Sequence, residues 1–408
     1  MFALEPLLEP VARTRRRPAR APDETIEQLL EHGRAALGMD AAFLVAFEDG
    51  GENVRFVEGD GERFGLPDKD GGRLARHARR VAEGVSPGLA ADLSSDGGLE
   101  ERILWHEGVG ASVCVGLQGS DGRMLGAMCG VASEPDPVLD QEDLAFLRPL
   151  ANAVAEQLER KELERELDRV EGDRIRDVIG GHGLDIVFQP VFDLARDEVI
   201  AYEALSRFRS EPYRSPPVWF AEANDVGLGI DLELTAVEAA LQQLDDLPPD
   251  VRLAFNVSPT TAASPELFDI LEGVGDQIIV ELTEHDPVED YDALKAAVHS
   301  LRGLGALVAV DDAGTGFSTF ERILRLEPDI VKVDLRLARD VVGDPTRRAL
   351  VAALIFFASS ISATIVAEGI ETQSELALVR RLKMPYGQGS WLGVPGPFPS
   401  VSELSLRR

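Results

Sequence analysis

The chain reads as an α/β protein of two domains, the second a βα barrel, and three observations predict this. At 408 residues it is long enough to build two hydrophobic cores. Its C-terminal half repeats short, β-branched apolar runs, among them DEVIAY, VRLAF, QIIV, ALVAV and ATIVA, separated by helix-length segments. Runs of this kind end on an acid or amide: Glu203, Asn256, Glu281, Asp311, Asp312, Glu368 and Gln388. One carboxylate at a strand end is ordinary, but a succession of them gathers oxygen donors at the C-terminal rim of a barrel. Oxygen donors without histidine or cysteine suit Mg²⁺ or Mn²⁺.

From the N-terminus, MFALEPLLEPVARTRRRPAR has too short an apolar stretch for a secretory signal, being broken by Glu and Pro. Residues 1–20 therefore read as a disordered basic tail, carried by RTRRRPAR. DETIEQLLEHGRAALG has the spacing of an amphipathic helix opened by an Asp cap. AAFLVAFE and NVRFVEG read as strands joined by a Gly-rich turn, and ASVCVGLQ and MLGAMCGVAS as a hairpin around GSDGR. A helix from near Asp140 is expected to continue through ANAVAEQLERKELERELDRV, with Gly172 and Gly180-Gly181 ending it. Leu147, Leu150, Val154, Leu158, Leu163, Leu167 and Val170 lie along it at intervals of three, four and five. That partly supports a two-stranded coiled coil and hence a homodimer; the plain alternative is packing on its own domain.

Composition excludes several classes. A formal charge of −31 repels nucleic-acid polymers and anionic membrane surfaces. The uncharged stretch ALVAALIFFASSISATIV, residues 349–366, is near the lower limit for a membrane span, yet it contains three serines and a threonine and runs into Glu368. A buried helix followed by a strand accounts for it better. Cys114 and Cys129 cannot make a disulfide framework, and are expected as buried reduced thiols of a cytoplasmic protein.

The order of helix, strands, hairpin and terminal helix over about residues 20 to 160 resembles a GAF domain, most clearly in VGLQGSDGRMLGAMCGVAS and DQEDLAFLRPLANAVAEQLE. The resemblance implies an α+β sensory module (21–160) with a small-molecule pocket or a dimer surface, names no ligand, and leaves 161–180 as a connecting signalling helix. His77, His106 and Trp105 are candidates to line such a pocket.

The second half carries Gln189-Pro190, YEALSRF, FNVSP, VELTE, VDDAGTGFS, DIVKVD, VAEGIET and YGQGSW in order. Together they resemble the EAL family of cyclic di-GMP phosphodiesterases over about residues 180 to 400, assigned here as the domain 181–408. The resemblance implies a modified TIM (β/α)₈ barrel whose first strand runs against the others, and hydrolysis of cyclic di-GMP to pGpG with two Mg²⁺ or Mn²⁺ ions. By this resemblance Glu203, Asn256, Glu281 and Asp311 hold a first cation, and Asp311 and Asp312 a second. Lys332 sits beside the attacking water, with a pKa expected to fall near two cations. Glu368 anchors Lys332 and a water, and Gln388 completes that network. Gln189, Arg207, Gln388 and Glu371 are the substrate contacts. DAGTGFST is the family's mobile loop, with Gly314, Thr315 and Gly316 allowing its turn and Glu284 steadying it. Two positions depart from the pattern: Ala313, where phenylalanine is usual, and Ser390, where an aromatic residue is usual and only Trp391 next door can compensate. A barrel that binds the dinucleotide without hydrolysing it, as a receptor, is the rival expectation.

Overall fold

In the computed structural model the chain divides into two compact units, Met1–Leu167 and Asp168–Arg408. The structure describes residues 22–48, 51–66, 72–95, 99–211, 213–283, 288, 290–311, 317–335 and 345–398, with backbone alone at 99–101, 317–320 and 345–352. The basic tail lies outside them.

The first unit runs α1 (Pro22–Ala36), β1 (Ala41–Glu48), β2 (Gly51–Gly59), α2 (Gly72–Ala82), β3 (Leu89–Ala90), α3 (Leu99–His106), β4 (Ala111–Gln118) and β5 (Met124–Ala132), then enters α4 (Gln141–Ile179). Its antiparallel sheet has the order β2-β1-β5-β4-β3. The unbroken apolar run of β1 follows from its central place. Ala41, Phe43 and Val45 join the core that includes Leu74, Ala75 and Ala78 of α2. Ala42 and Leu44 join the opposite core with Ile26 and Leu30 of α1. The β4–β5 turn depends on Gly122 at φ +85.

Cys114 and Cys129 correct the expectation of reduced thiols: they are joined by a disulfide. The hairpin is the reason, since its register sets the two residues directly opposite each other, with Cα atoms 4.1 Å apart.

The long helix also departs from expectation. Gly172 does not end it; α4 continues to Ile179 and stops at Gly180-Gly181, where Gly181 takes φ +96. Leu147 and Val154 are buried in the unit's own core, with Leu150 and Leu158 against it, so the first part of the apolar stripe is explained by packing on its own domain. Leu163, Leu167 and Val170 are exposed.

One surface contact in this unit has a measurable pH signature. Asp40 accepts hydrogen bonds from the Ser133 hydroxyl at 2.6 Å and amide at 2.8 Å, which hold its carboxyl below the ordinary value of 3.8. A depressed carboxylate contributes stability above its unfolded pKa and loses it as pH falls through the folded one. With the side chain 37% exposed, solvent screening limits the contribution to about 1 kcal/mol or less. Denaturant unfolding is expected to show Asp40→Asn less stable than the parent at neutral pH, with the gap closing towards about pH 3.

The second unit continues with β6 (Leu184–Asp193), β7 (Glu198–Phe208), α5 (Pro216–Asp225), α6 (Gly229–Leu241), β8 (Arg252–Val257), α7 (Pro259–Ala262), α8 (Pro265–Leu271) and β9 (Ile278–Leu282). There follow α9 (Tyr291–Gly303), β10 (Leu307–Val310), α10 (Phe317–Leu326), β11 (Ile330–Asp334), α11 (Pro345–Ser360), β12 (Thr364–Glu368), α12 (Gln373–Arg381) and β13 (Tyr386–Gly387). The strands β6 to β13 close into a barrel. β6 is antiparallel to both its neighbours, β7 and β13, while the other pairs are parallel. The reversed first strand is thus as expected.

Outward strand residues such as Leu253, Val280 and Val308 pack under the helices with Val237, Leu294 and Leu301. Val331, Val333 and Ile365 do the same with Leu354, Ala358 and Val379. The stretch 349–366 is α11 leading into β12, and among the described residues no helix is long and apolar enough to cross a membrane.

Candidate active site

Side chains two apart on a strand share a face, and this rule builds the site. Inside the barrel, Val191, Ala201, Ala254, Ile279, Ala309, Ile330 and Val366 form one apolar cluster, with Tyr386 packed against it. Two residues further along each forward strand stand Glu203, Asn256, Glu281, Asp311, Lys332, Glu368 and Gln388. On the reversed β6 the step is two residues back, from Val191 to Gln189, and Gln189 pairs in register with Glu203. A dry plug thus carries a polar layer above it. Direction and position in sequence agree at all eight strands.

Lys332 is the centre of this layer, with 2% of its side chain exposed. Its Nζ lies 2.6 Å from Glu368 Oε1, 2.7 Å from Glu281 Oε2, 3.4 Å from Glu203 Oε2 and 3.5 Å from Asp311 Oδ1. Glu203 also accepts from Asn256 Nδ2 at 2.8 Å and Gln388 Nε2 at 2.6 Å. Gln388 Nε2 donates further to Gln189 Oε1 at 3.0 Å, and Gln189 Nε2 donates to the Gly393 carbonyl at 3.0 Å.

Four carboxylates face one ammonium. Burial pushes the Glu281 carboxyl well above the ordinary range, Lys332 opposing and Glu203 and Asp311 adding to the rise. Burial likewise raises Glu368, with Lys332 again opposing. Burial works against the Lys332 ammonium too, but the carboxylates of Asp311, Glu203, Glu281 and Glu368 overcome it and hold its pKa well above the ordinary value. The fall expected for this lysine belongs to a site holding two cations; the carboxylates by themselves raise it.

This excess of buried negative charge is what divalent cations neutralise, and the donor set is oxygen throughout, as hard cations require. Gln388 Oε1 adds a buried acceptor with no hydrogen-bond partner among the described residues. The residues fit such ions in their chemistry. Among the described residues, however, no three acidic side chains are arranged around a shared cation position, and Lys332 is the counter-ion they have in common.

Beside the layer opens a cavity of about 650 Å³, walled by Arg207, Asn256 and Phe220 among others. Arg207 therefore lies in the cavity and not in the lysine cluster, where its Nη1 donates to the Ser206 carbonyl at 2.8 Å. Glu371 is exposed between β12 and α12, its amide bound to Glu375 of the helix cap at 2.7 Å. Asp312, Ala313, Gly314, Thr315, Gly316 and Glu284 lie outside the described residues. Ser390 is exposed and Trp391 half-exposed. In the first unit His77 is buried and lines a cleft, while Trp105 and His106 are exposed.

Two buried acids were missed in the sequence. Asp334, buried at the end of β11, is two residues beyond Lys332 and so shares its face; the alternation in DIVKVD was the available signal. Glu233 lines the cavity and accepts from the Ser258 amide at 2.8 Å; its place between Leu232 and Leu234 in α6 was its only trace.

Gln388 is set in place by the glycine after it. Gly389 has φ +154, and a Cβ there would stand 2.2 Å from the Ile370 carbonyl oxygen and 2.3 Å from its nitrogen. Gly389→Ala is expected to lower stability by about 1–3 kcal/mol through overpacking. Thermal melting of the variant against the parent checks it.

A closed barrel with one reversed strand, an apolar plug and an acidic, lysine-centred rim defines an EAL domain, and the chain belongs to that family: the EAL domain model matches residues 173–395. A GAF domain model matches residues 19–159. Among relatives, an uncharacterized signaling protein of Caulobacter vibrioides is 27% identical over 433 residues, covering 95% of this chain and 53% of the relative. The cyclic di-GMP phosphodiesterase PdeR of Escherichia coli is 30% identical over 236 residues, covering 55% of this chain and 35% of PdeR. The solved PaMucR phosphodiesterase in complex with c-di-GMP is 26% identical with a TM-score of 0.50, covering 56% of this chain and 97% of that one. The chain spans about half or less of the length of these curated relatives.

Proposed function

We propose that the chain is a cyclic di-GMP phosphodiesterase that opens one phosphodiester of the cyclic dinucleotide to give linear pGpG, with its GAF domain as the regulatory input. The observation that carries this reading is the convergence of Glu203, Glu281, Asp311 and Glu368 on the Lys332 ammonium, beside a cavity bearing Arg207. The kinship to a cyclic di-GMP phosphodiesterase and to a c-di-GMP complex supports it.

In this reading Glu203, Asn256, Glu281, Asp311 and Asp312 hold two divalent cations, Mg²⁺ or Mn²⁺. Such ions supply charge stabilisation for the phosphate and acidify a water. Lys332 Nζ orients the attacking water, kept in place by its 2.6 Å contact with Glu368. Gln388 fixes the Glu203 carboxylate from the opposite side. Arg207 meets the substrate phosphate in the cavity, where a guanidinium fork is the right shape. Gln189 and Glu371 complete the substrate contacts, and Glu284, Gly314, Thr315 and Gly316 control the loop over the site.

The same reading divides the chain into a sensory domain (21–160), a signalling helix (161–180) and the barrel (181–408), acting as a cytoplasmic homodimer. The rival reading is a barrel that binds the dinucleotide without hydrolysing it, as a receptor. Purified full chain with c-di-GMP and Mn²⁺, followed by chromatography for pGpG, separates the two. Release of pGpG supports the enzyme; c-di-GMP binding with no release overturns it in favour of the receptor.

A further inference from the structure

We infer that the N-terminal unit carries a second binding site, a cleft between α2, β2 and α3 that takes a phosphorylated small molecule of about mononucleotide size. The cleft holds about 410 Å³, within the range of small-ligand sites of roughly 300–1,000 Å³. Its main wall is α2, sequence GRLARHARRVA, which contains four arginines and no acid. Leu74, Ala75 and Ala78 of that helix are buried in the core. Arg73, Arg76, His77 and Arg80, at i, i+3, i+4 and i+7, form a separate stripe, and all four line the cleft with Arg79.

The bland alternative is a solvated charged face, and three features count against it. A solvated face mixes signs, as α4 does with its Arg160–Glu164 and Arg169–Asp173 pairs; α2 carries one sign only, on a chain with 72 acids and 41 bases. Second, cations suit a helix's C-terminal turn, which accounts for Arg79 and Arg80 but leaves Arg73 and Arg76 near the wrong end of the dipole. Third, the acids among the described residues do not consume all of the charge. Glu52, the one acid among the described residues that line the cleft, pairs with Arg79, Glu107 pairs with Arg73 at 2.8 Å, and Arg80 Nε donates to the Ser86 hydroxyl, while Arg76 is exposed and has no ion pair among the described residues.

A planar guanidinium presents paired donors that match a phosphate's oxygens, and several together recognise phosphate over carboxylate. Ile103 and Leu104 of α3 supply an apolar side for the rest of the ligand. Phosphate with an apolar or aromatic body is the chemistry that fits both walls.

The test is isothermal titration of the full chain with AMP and, separately, inorganic phosphate, in EDTA so that no cation bridges phosphate to the barrel rim. AMP is used because it carries a phosphate and no guanine. AMP is expected to bind more tightly than inorganic phosphate. Arg76→Glu is expected to weaken AMP about tenfold or more, from loss of a charge-assisted hydrogen bond, and Arg76→Lys to weaken it less. Equal AMP affinity in the parent and Arg76→Glu overturns the inference, as does inorganic phosphate binding as tightly as AMP, or no binding of either. Exposed Arg76 has no ion-pair partner to lose among the described residues, and unchanged melting of the Arg76→Glu variant without ligand separates lost binding from lost folding.

Discussion

Replacing Lys332 with methionine is expected to lower the melting temperature of the chelator-treated protein by about 10 °C. The ammonium is buried and is the positive partner shared by Glu203, Glu281, Asp311 and Glu368. Removing one partner of a buried ionic cluster costs about 3–5 kcal/mol, since the remaining charges stay buried without compensation. For a unit of this size each kcal/mol moves the midpoint by about 2–4 °C. Mn²⁺ is expected to restore much of the loss, because ligand binding to the folded state alone stabilises it and the vacated carboxylates are free to share a cation. Calorimetry of parent and variant, with EDTA and with Mn²⁺, reads all four states. A variant as stable as the parent in EDTA sinks the account of Lys332 as shared counter-ion; a destabilised variant that Mn²⁺ leaves unchanged sinks the cation assignment. Turnover in this variant is expected to vanish, whatever its stability, if Lys332 orients the water.

The second large effect is expected at Glu203. Its Oε1 accepts from Asn256 and its Oε2 from Gln388, with Lys332 3.4 Å from Oε2. Glu203→Ala removes a proposed cation ligand and leaves the part-buried Asn256 and buried Gln388 amides without that acceptor, so pGpG release is expected to fall about 10³-fold or more. Glu203→Gln separates charge from shape. Its amide oxygen preserves one hydrogen bond, but it cannot offset a dication, and its activity is expected to fall nearly as far. A Gln variant within tenfold of the parent means that position 203 acts through hydrogen bonding alone, and the two-cation proposal fails with it.

How much of this was legible follows from which physics is local. The period of two along a strand is local, so the polar layer was readable: each apolar run ended on the residue that now stands above the plug. Asp334 obeys the same rule, but it stands one step beyond the layer, past the end of the apolar run that marks the other strands. The cysteine pair was readable in principle as well, by counting outward from the GSDGR turn to equal depths on β4 and β5. Their expected free state came from composition, which carries no register. Gly172 misled for a related reason: glycine lowers helix propensity by only about 1 kcal/mol, and residues on both sides of it, Val154 before and Ile175 and Val178 after, are anchored in hydrophobic cores.

Sequence alone determined the kinds of residue at each strand end, the helix-length spacing between strands and the net charge of −31. All of these depend on near neighbours or on composition. Tertiary structure alone decided that Lys332 meets four carboxylates, that Arg207 turns to the cavity, and that the α2 arginines wall a cleft. Those outcomes depend on strands far apart in the chain closing into one ring and on helices settling against a sheet, and such distances are set by long-range packing.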